Sequence, residues 1–116
     1  MQLVYQDEKV QKIFCDHNEL QKKIHVEIGR KVKRRLNELQ AYENFYSYLT
    51  TFGLGRPHQL KGEFSNCFGI EITKNYRLIV EPLCENLDMD SLKECKTIKI
   101  KGVVDYHGEK NNWIIP

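Results

Sequence analysis

The apolar residues of this chain change their period once, and that change limits what the chain can fold into. Through residue 52 they recur every three or four positions. Ile24, Ile28, Val32, Leu36 and Leu39 make one stripe, Phe45, Tyr48, Leu49 and Phe52 a second, and Val10, Ile13 and Phe14 a shorter one before them. Such spacing gathers side chains on one face of a helix. From Arg56 onward the period is two: Phe68, Ile70 and Ile72 alternate with Gly69, Glu71 and Thr73, and after Lys74-Asn75 the residues Tyr76, Leu78 and Val80 alternate with Arg77, Ile79 and Glu81. Alternation of this kind describes a half-buried hairpin.

The remaining segments complete the pattern. Leu3-Val4-Tyr5 is β-prone and leads at Asp7-Glu8 into the first short helix, and Asn18 is placed to cap the long one. Gly53 and Gly55 stand where the third helical stretch should stop, and a short connection near Ala41-Tyr42 suggests that the last two fold back as an antiparallel pair. A polar, acidic excursion follows Pro82, and Ile98, Ile100 and Val104 then mark a final strand. The expected fold is α+β in the order β-α-α-β-β-β with an optional extra helical turn: a small antiparallel sheet with helices on one face, one domain spanning 1–116.

With 116 residues, 41% of them hydrophobic, the chain can bury one core. It contains no run of about 18 apolar residues to cross a bilayer. Its beginning turns acidic where a secretion signal would stay apolar, so a cytoplasmic location is expected. Cys15, Cys67, Cys84 and Cys95 stand far apart without a C-x-x-C pair, which argues against a zinc site and for free thiols. The net charge of +2 hides an uneven distribution: residues 22 to 35 carry seven Lys and Arg against Glu27 alone, whereas Glu85, Asp88, Asp90 and Glu94 make the excursion acidic.

Strict alternation along the last strand would put Lys99, Lys101, Val103, Asp105 and His107 on one face and Ile98, Ile100, Val104 and Tyr106 on the other, core side. By the same parity Arg77 shares the open side with Glu71 and Glu81. Arg77, Lys61, Asp105 and His107 are then the types needed to cleave RNA through its own 2′-OH. That reaction asks for a base, an acid and cations around the phosphate. Imidazole titrates near neutral pH, and arginine offers a planar fork for phosphoryl oxygens. No cofactor or metal is implied.

Three motifs occur in a distinctive order: His58-Gln59-Leu60-Lys61-Gly62, then Asn75-Tyr76-Arg77-Leu78-Ile79-Val80-Glu81-Pro82, then Ile98 to His107 ending Asp105-Tyr106-His107. Over nearly its whole length the chain resembles the HigB-type toxins of the RelE/ParE superfamily, where an H-x-L-K-G turn, an N-Y-R-L-I-F-x-P-like strand and a terminal D-Y-H follow two helices. The resemblance implies a RelE-like fold and a type II toxin-antitoxin system. It implies a metal-independent endoribonuclease cleaving messenger RNA on translating ribosomes, partnered and oligomerised with a HigA-like DNA-binding antitoxin. It also implies Lys61, Arg77, Asp105, Tyr106 and His107 as the catalytic set. Arg34 and Arg35 on the basic helix, Arg56, His58, Lys99 and Lys101 are the candidate RNA contacts.

Two rival functions share parts of this pattern. A ParE-like inhibitor of DNA gyrase would keep the fold without needing the acid, base and phosphate-binding groups. A non-catalytic RNA-binding module would use the basic helix alone. The end of the chain, with Trp113, Ile114 and Ile115, reads as a segment folded back over an apolar gap, the alternative being an antitoxin-binding element.

Overall fold

In the computed structural model, residues 1–51, 54–107 and 110–116 are described, with the backbone alone at 107, 110 and 111. Six strands form one sheet: β1 (Gln2–Tyr5), β2 (His58–Gln59), β3 (Phe68–Glu71), β4 (Tyr76–Pro82), β5 (Thr97–His107) and β6 (Lys110–Ile115). The order is β1-β5-β4-β3-β2, with β6 added along β5. The pairs β2–β3, β3–β4, β4–β5 and β5–β6 are antiparallel as expected, while β1 runs parallel to the first half of β5. β5 is long enough to be shared: Thr97 to Ile100 pair with β1, and Val103 to His107 pair with β6.

Among the described residues five α-helices accompany the sheet: α1 (Glu8–Cys15), α2 (His17–Lys23), α3 (Val26–Ala41), α4 (Phe45–Thr50) and α5 (Met89–Glu94). Short polar side chains start them by accepting otherwise orphaned backbone N–H bonds. Asp7 accepts from Val10, Asn44 from Ser47 and Asp88 from Ser91. The helical stripe expected to begin at Asn18 is broken in two. Asp16, not Asn18, caps α2, and Ile24 turns extended and buried before His25 Nδ1 accepts from the Glu27 amide to start α3. The apolar period continues across the break, which is why it does not show in the spacing.

α4 packs mainly against α5 rather than doubling back along α3. The expected end of that helix falls partly on Phe52 and Gly53, which lie outside the described residues. Gly55 has another purpose. With φ +80°, it brings the chain so close to the sheet that a Cβ there would sit 2.5 Å from Ile70.

The main core lies between helices and sheet. Val10, Ile13, Leu20, Val32, Leu36, Leu39, Phe45 and Tyr48 meet Ile70, Leu78, Val80, Ile98 and Ile100 from the strands. The other face of the sheet carries a smaller apolar cluster of Cys67, Ile79 and Val104, with Leu60 and Phe64 against it. Among the described residues, no helix is long and apolar enough to cross a membrane.

Candidate functional site

Arg77, near the start of β4, projects onto this second face, as its alternation with Tyr76 and Leu78 requires. Its neighbour on β3, diagonally across, is Gly69. A Cβ there would stand 3.5 Å from Arg77 Cδ and 3.3 Å from Leu60 Cδ2, so the bare backbone leaves room for the arginine stem to lie across the sheet. The guanidinium carbon is 5.0 Å from the centroid of the Tyr106 ring. A desolvated cation over an aromatic face is worth about 2 kcal/mol or more. Arg77 Nη1 is buried and has no hydrogen-bond partner among the described residues. A buried guanidinium N–H without an acceptor is costly, and an anion entering the site would supply one.

Strict alternation in β5 fails at one place. Ile79 pairs with Gly102 and Val80 with Ile100, so Lys101 is an extra residue and the strand bulges. Gly102 adopts φ +152°, and a Cβ on it would lie 1.9 Å from the carbonyl oxygen of Ile115. Only glycine lets β6 approach this closely. The bulge reverses every later side chain. Val103, expected on the open side, is in the main core opposite Leu78. Val104, expected inside, joins Ile79 on the open face. Tyr106 therefore turns outward over Arg77 instead of inward. Asp105 lies opposite Tyr76 on the helix side, half-buried, and not beside Arg77 as expected. The side chain of His107 lies outside the described residues; its backbone pairs with Lys110.

The other candidate residues separate into three groups. His58 pairs with Gly69 at the edge of the sheet, which puts it on the Arg77 face, exposed. Lys61 is exposed where the chain enters the 3-10 turn Gly62–Phe64. Arg56 is exposed just before β2, with φ +42°. Lys99, before the bulge, and Lys101, the bulged residue itself, lie on the open face as expected. Lys101 Nζ is nevertheless 3.2 Å from Glu81 Oε1, so part of its charge is already answered. Arg34 is exposed on α3, lining a groove with Arg30, Lys33 and Asn37. That surface belongs to the helix layer, on the far side of the sheet from Arg77. Arg35 is a structural residue rather than a free contact for RNA: its Nη1 is 2.7 Å from Glu38 and its Nε donates to the Glu71 carbonyl at 2.9 Å, tying α3 to the end of β3.

Three residues of the site do not appear among those read from the motifs. Gly69 makes the space for Arg77. Phe64 and Trp113 stand at the far end of the same face, their rings 5.9 Å apart and tilted by 54°. The end of the chain does fold back, with Ile115 fully buried, but Trp113 remains 41% exposed. The motif-like K-G-x-F run and a single tryptophan after the D-Y-H were the available signals.

The four cysteines are free, Cys15 exposed, Cys84 half-buried and Cys67 and Cys95 buried. Burial pushes the Cys67 and Cys95 thiols up. It raises Cys84 to about 11, with the neighbouring Cys95 thiol adding to the effect. None of these three is poised as a thiolate nucleophile. Among the described residues no three His, Cys, Asp or Glu side chains gather as a metal cage.

The chain thus folds as a mixed sheet with helices on one face and a cationic, aromatic-rimmed patch on the other. The same fold is found in a YoeB/ParE toxin from Agrobacterium tumefaciens, with a TM-score of 0.56 at 15% identity over 93% of this chain and 100% of that one. It recurs in the YoeB–YefM complex from Staphylococcus aureus (TM-score 0.54, 15% identity, 93% of this chain and 98% of that one). The YoeB dimer of the same organism matches with a TM-score of 0.51 at 17% identity over 93% and 98%. No protein-family model and no curated protein matches the sequence. At these identities the likeness establishes the fold. It reaches YoeB and ParE toxins and does not single out the HigB branch.

Proposed function

We propose that this chain is the toxin of a type II toxin-antitoxin pair, of the HigB branch, and that it cleaves messenger RNA on translating ribosomes in the cytoplasm. The observation that carries the reading is the Arg77 guanidinium, its Nη1 buried without an acceptor among the described residues and Tyr106 stacked beside it. It sits in the strand of the second motif, on a face that also presents His58, Lys99 and Lys101. The order of the three motifs supports the branch. A structural neighbour solved as a YoeB–YefM complex supports an antitoxin as partner, here a HigA-like DNA-binding protein that oligomerises with the toxin.

In the proposed reaction the RNA's 2′-OH attacks the adjacent phosphorus, the bond to the 5′ oxygen breaks, and a 2′,3′-cyclic phosphate remains. Arg77 donates to a non-bridging oxygen as charge builds there, Lys61 adds a second cation, and Tyr106 holds the guanidinium in place. His107 takes the proton from the 2′-OH and returns it to the departing 5′ oxygen. Asp105, on the other side of the strand, acts by positioning the strand end rather than by touching the phosphate. A nucleophile supplied by the RNA itself needs no metal, so cleavage should persist in chelator.

The test is expression with mapping of RNA ends. New 5′ ends should cluster within translated reading frames, growth should stop, and the antitoxin encoded beside the toxin should restore it, while gyrase supercoiling is unchanged. Gyrase inhibition without new RNA ends would assign the chain to the ParE-like alternative. Cleavage of naked RNA would remove the ribosome from the reading. An Arg77→Ala chain that cleaves normally would remove this site.

A further inference from the structure

Trp113 is the chain's one tryptophan, and it stays 41% exposed although its strand is paired into the sheet. Its ring and that of Phe64 make a wedge, 5.9 Å between centroids and tilted by 54°. With Gln6, Lys101 and Pro116 they line an open cleft of about 300 Å³. That is the lower end of the size range of small-molecule pockets. In the sheet, Val104 pairs with Arg77 on one side and with Trp113 on the other. The wedge and the guanidinium thus lie in one row across the open face. Two strand spacings, about 10 Å, separate them. A nucleotide whose phosphate rests on Arg77 can reach that distance with a neighbouring base.

We propose that the Trp113–Phe64 cleft is a stacking subsite for one nucleobase of the RNA, flanking the phosphate held by Arg77. The inference rests on the RNA-cleaving reading above and adds the part of the substrate that the phosphate site leaves unread. Single-stranded RNA is recognised by stacking unpaired bases on aromatic faces, with polar groups at the base edges. Here the amide of Gln6 offers a donor and an acceptor and Lys101 a donor, the latter held by Glu81 at 3.2 Å. A base fits this composition better than an aliphatic peptide side chain, because the cleft pairs flat rings with a cation and an amide, and because it continues a face already short of an anion. The subsite is a specificity and binding element. It moves no proton.

The lone tryptophan reports on its own site. Titration of the full chain with a five-nucleotide 2′-O-methyl RNA, which cannot be cleaved, should quench Trp113 fluorescence saturably, and Phe64→Ala should weaken that binding about fivefold or more. In cleavage assays Trp113→Ala should raise KM about tenfold or more with kcat within about twofold, and Trp113→Phe should recover most of the loss. If Trp113→Ala unfolds, the wild-type titration and Trp113→Phe still decide. Unchanged fluorescence beside normal Arg77-dependent cleavage would overturn the subsite and leave the proposed activity standing. A saturable quench in a chain whose cleavage survives Arg77→Ala would uphold the subsite and sink the phosphate site. Fluorescence that answers the cognate antitoxin but not RNA would overturn the proposal and make the cleft a protein interface.

Discussion

Among the described glycines, replacing Gly102 by alanine should cost the most. The new Cβ would stand 1.9 Å from the Ile115 carbonyl oxygen and 2.9 Å from its carbon, both backbone atoms of β6, and 3.1 Å from the Trp113 ring. The φ of +152° is itself closed to a side chain, a strain of about 1–3 kcal/mol. If β6 peels away to relieve the contact, Ile115 loses full burial, worth about 1.5–3 kcal/mol. A total of about 2.5–6 kcal/mol is a large share of the roughly 5–15 kcal/mol that holds a domain of this size together. Urea denaturation followed by circular dichroism measures the loss, and Trp113 fluorescence in the folded baseline reports whether β6 has detached. The variant can escape only by dropping the bulge, which would return Tyr106 to the helix side and strip Arg77 of its ring. A folded escape should therefore have lost cleavage. A Gly102→Ala chain within about 0.5 kcal/mol of the wild type, the scatter expected of an inert surface change, and fully active would refute the bulge.

Four further outcomes follow from the same geometry. Arg77→Ala should lower kcat by about 10² to 10³, the scale of losing one preorganised donor, and Arg77→Lys should restore only part, since it keeps the charge and not the fork; full recovery with lysine would mean that charge alone matters. His107→Ala should reduce cleavage on the order of 10²-fold or more, whereas Asp105→Ala should act less and together with a lowered melting temperature; the reverse ranking would make Asp105 the group at the phosphate. Arg35→Ala should destabilise the fold by about 1–3 kcal/mol by leaving the Glu38 carboxylate and the Glu71 carbonyl without their donor, with kcat unchanged in the folded fraction; a loss of RNA binding at unchanged stability would return Arg35 to the interface. Because burial holds Cys84 at about 11, the folded chain keeps a proton that the unfolded chain loses near 9.0, so stability is full below that pH and declines as pH rises toward 11; Tyr5, raised to about 12 chiefly by burial, has the same sign at higher pH. A urea midpoint that increased between pH 8 and 10.5 would contradict this.

The sequence alone determined the parts of this protein that depend on local period. Helical spacing before residue 52 and alternation after Arg56 settle the α+β class, and the hairpin of Phe68 to Pro82 is regular enough that Arg77 could be placed on the open face without coordinates. Lys99 and Lys101 follow from the same reasoning. The tertiary structure decided what depends on one residue more or less in a strand. Parity is a running count, and the extra residue at Lys101 resets it. Nothing in Ile98 to His107 announces the reset, since its cause is the approach of β6, a segment more than ten residues away in the chain for Ile115, to the backbone of Gly102. Tyr106 and Asp105 exchange faces for that reason. Arg35 looked like one more cation on a basic helix, and only the packing of α3 against the end of β3 gave it partners. Trp113 looked like apolar filler, and only the pairing of β6 with β5 put it in one row with Arg77, because burial in the short second layer of this sheet runs out before its ring is covered.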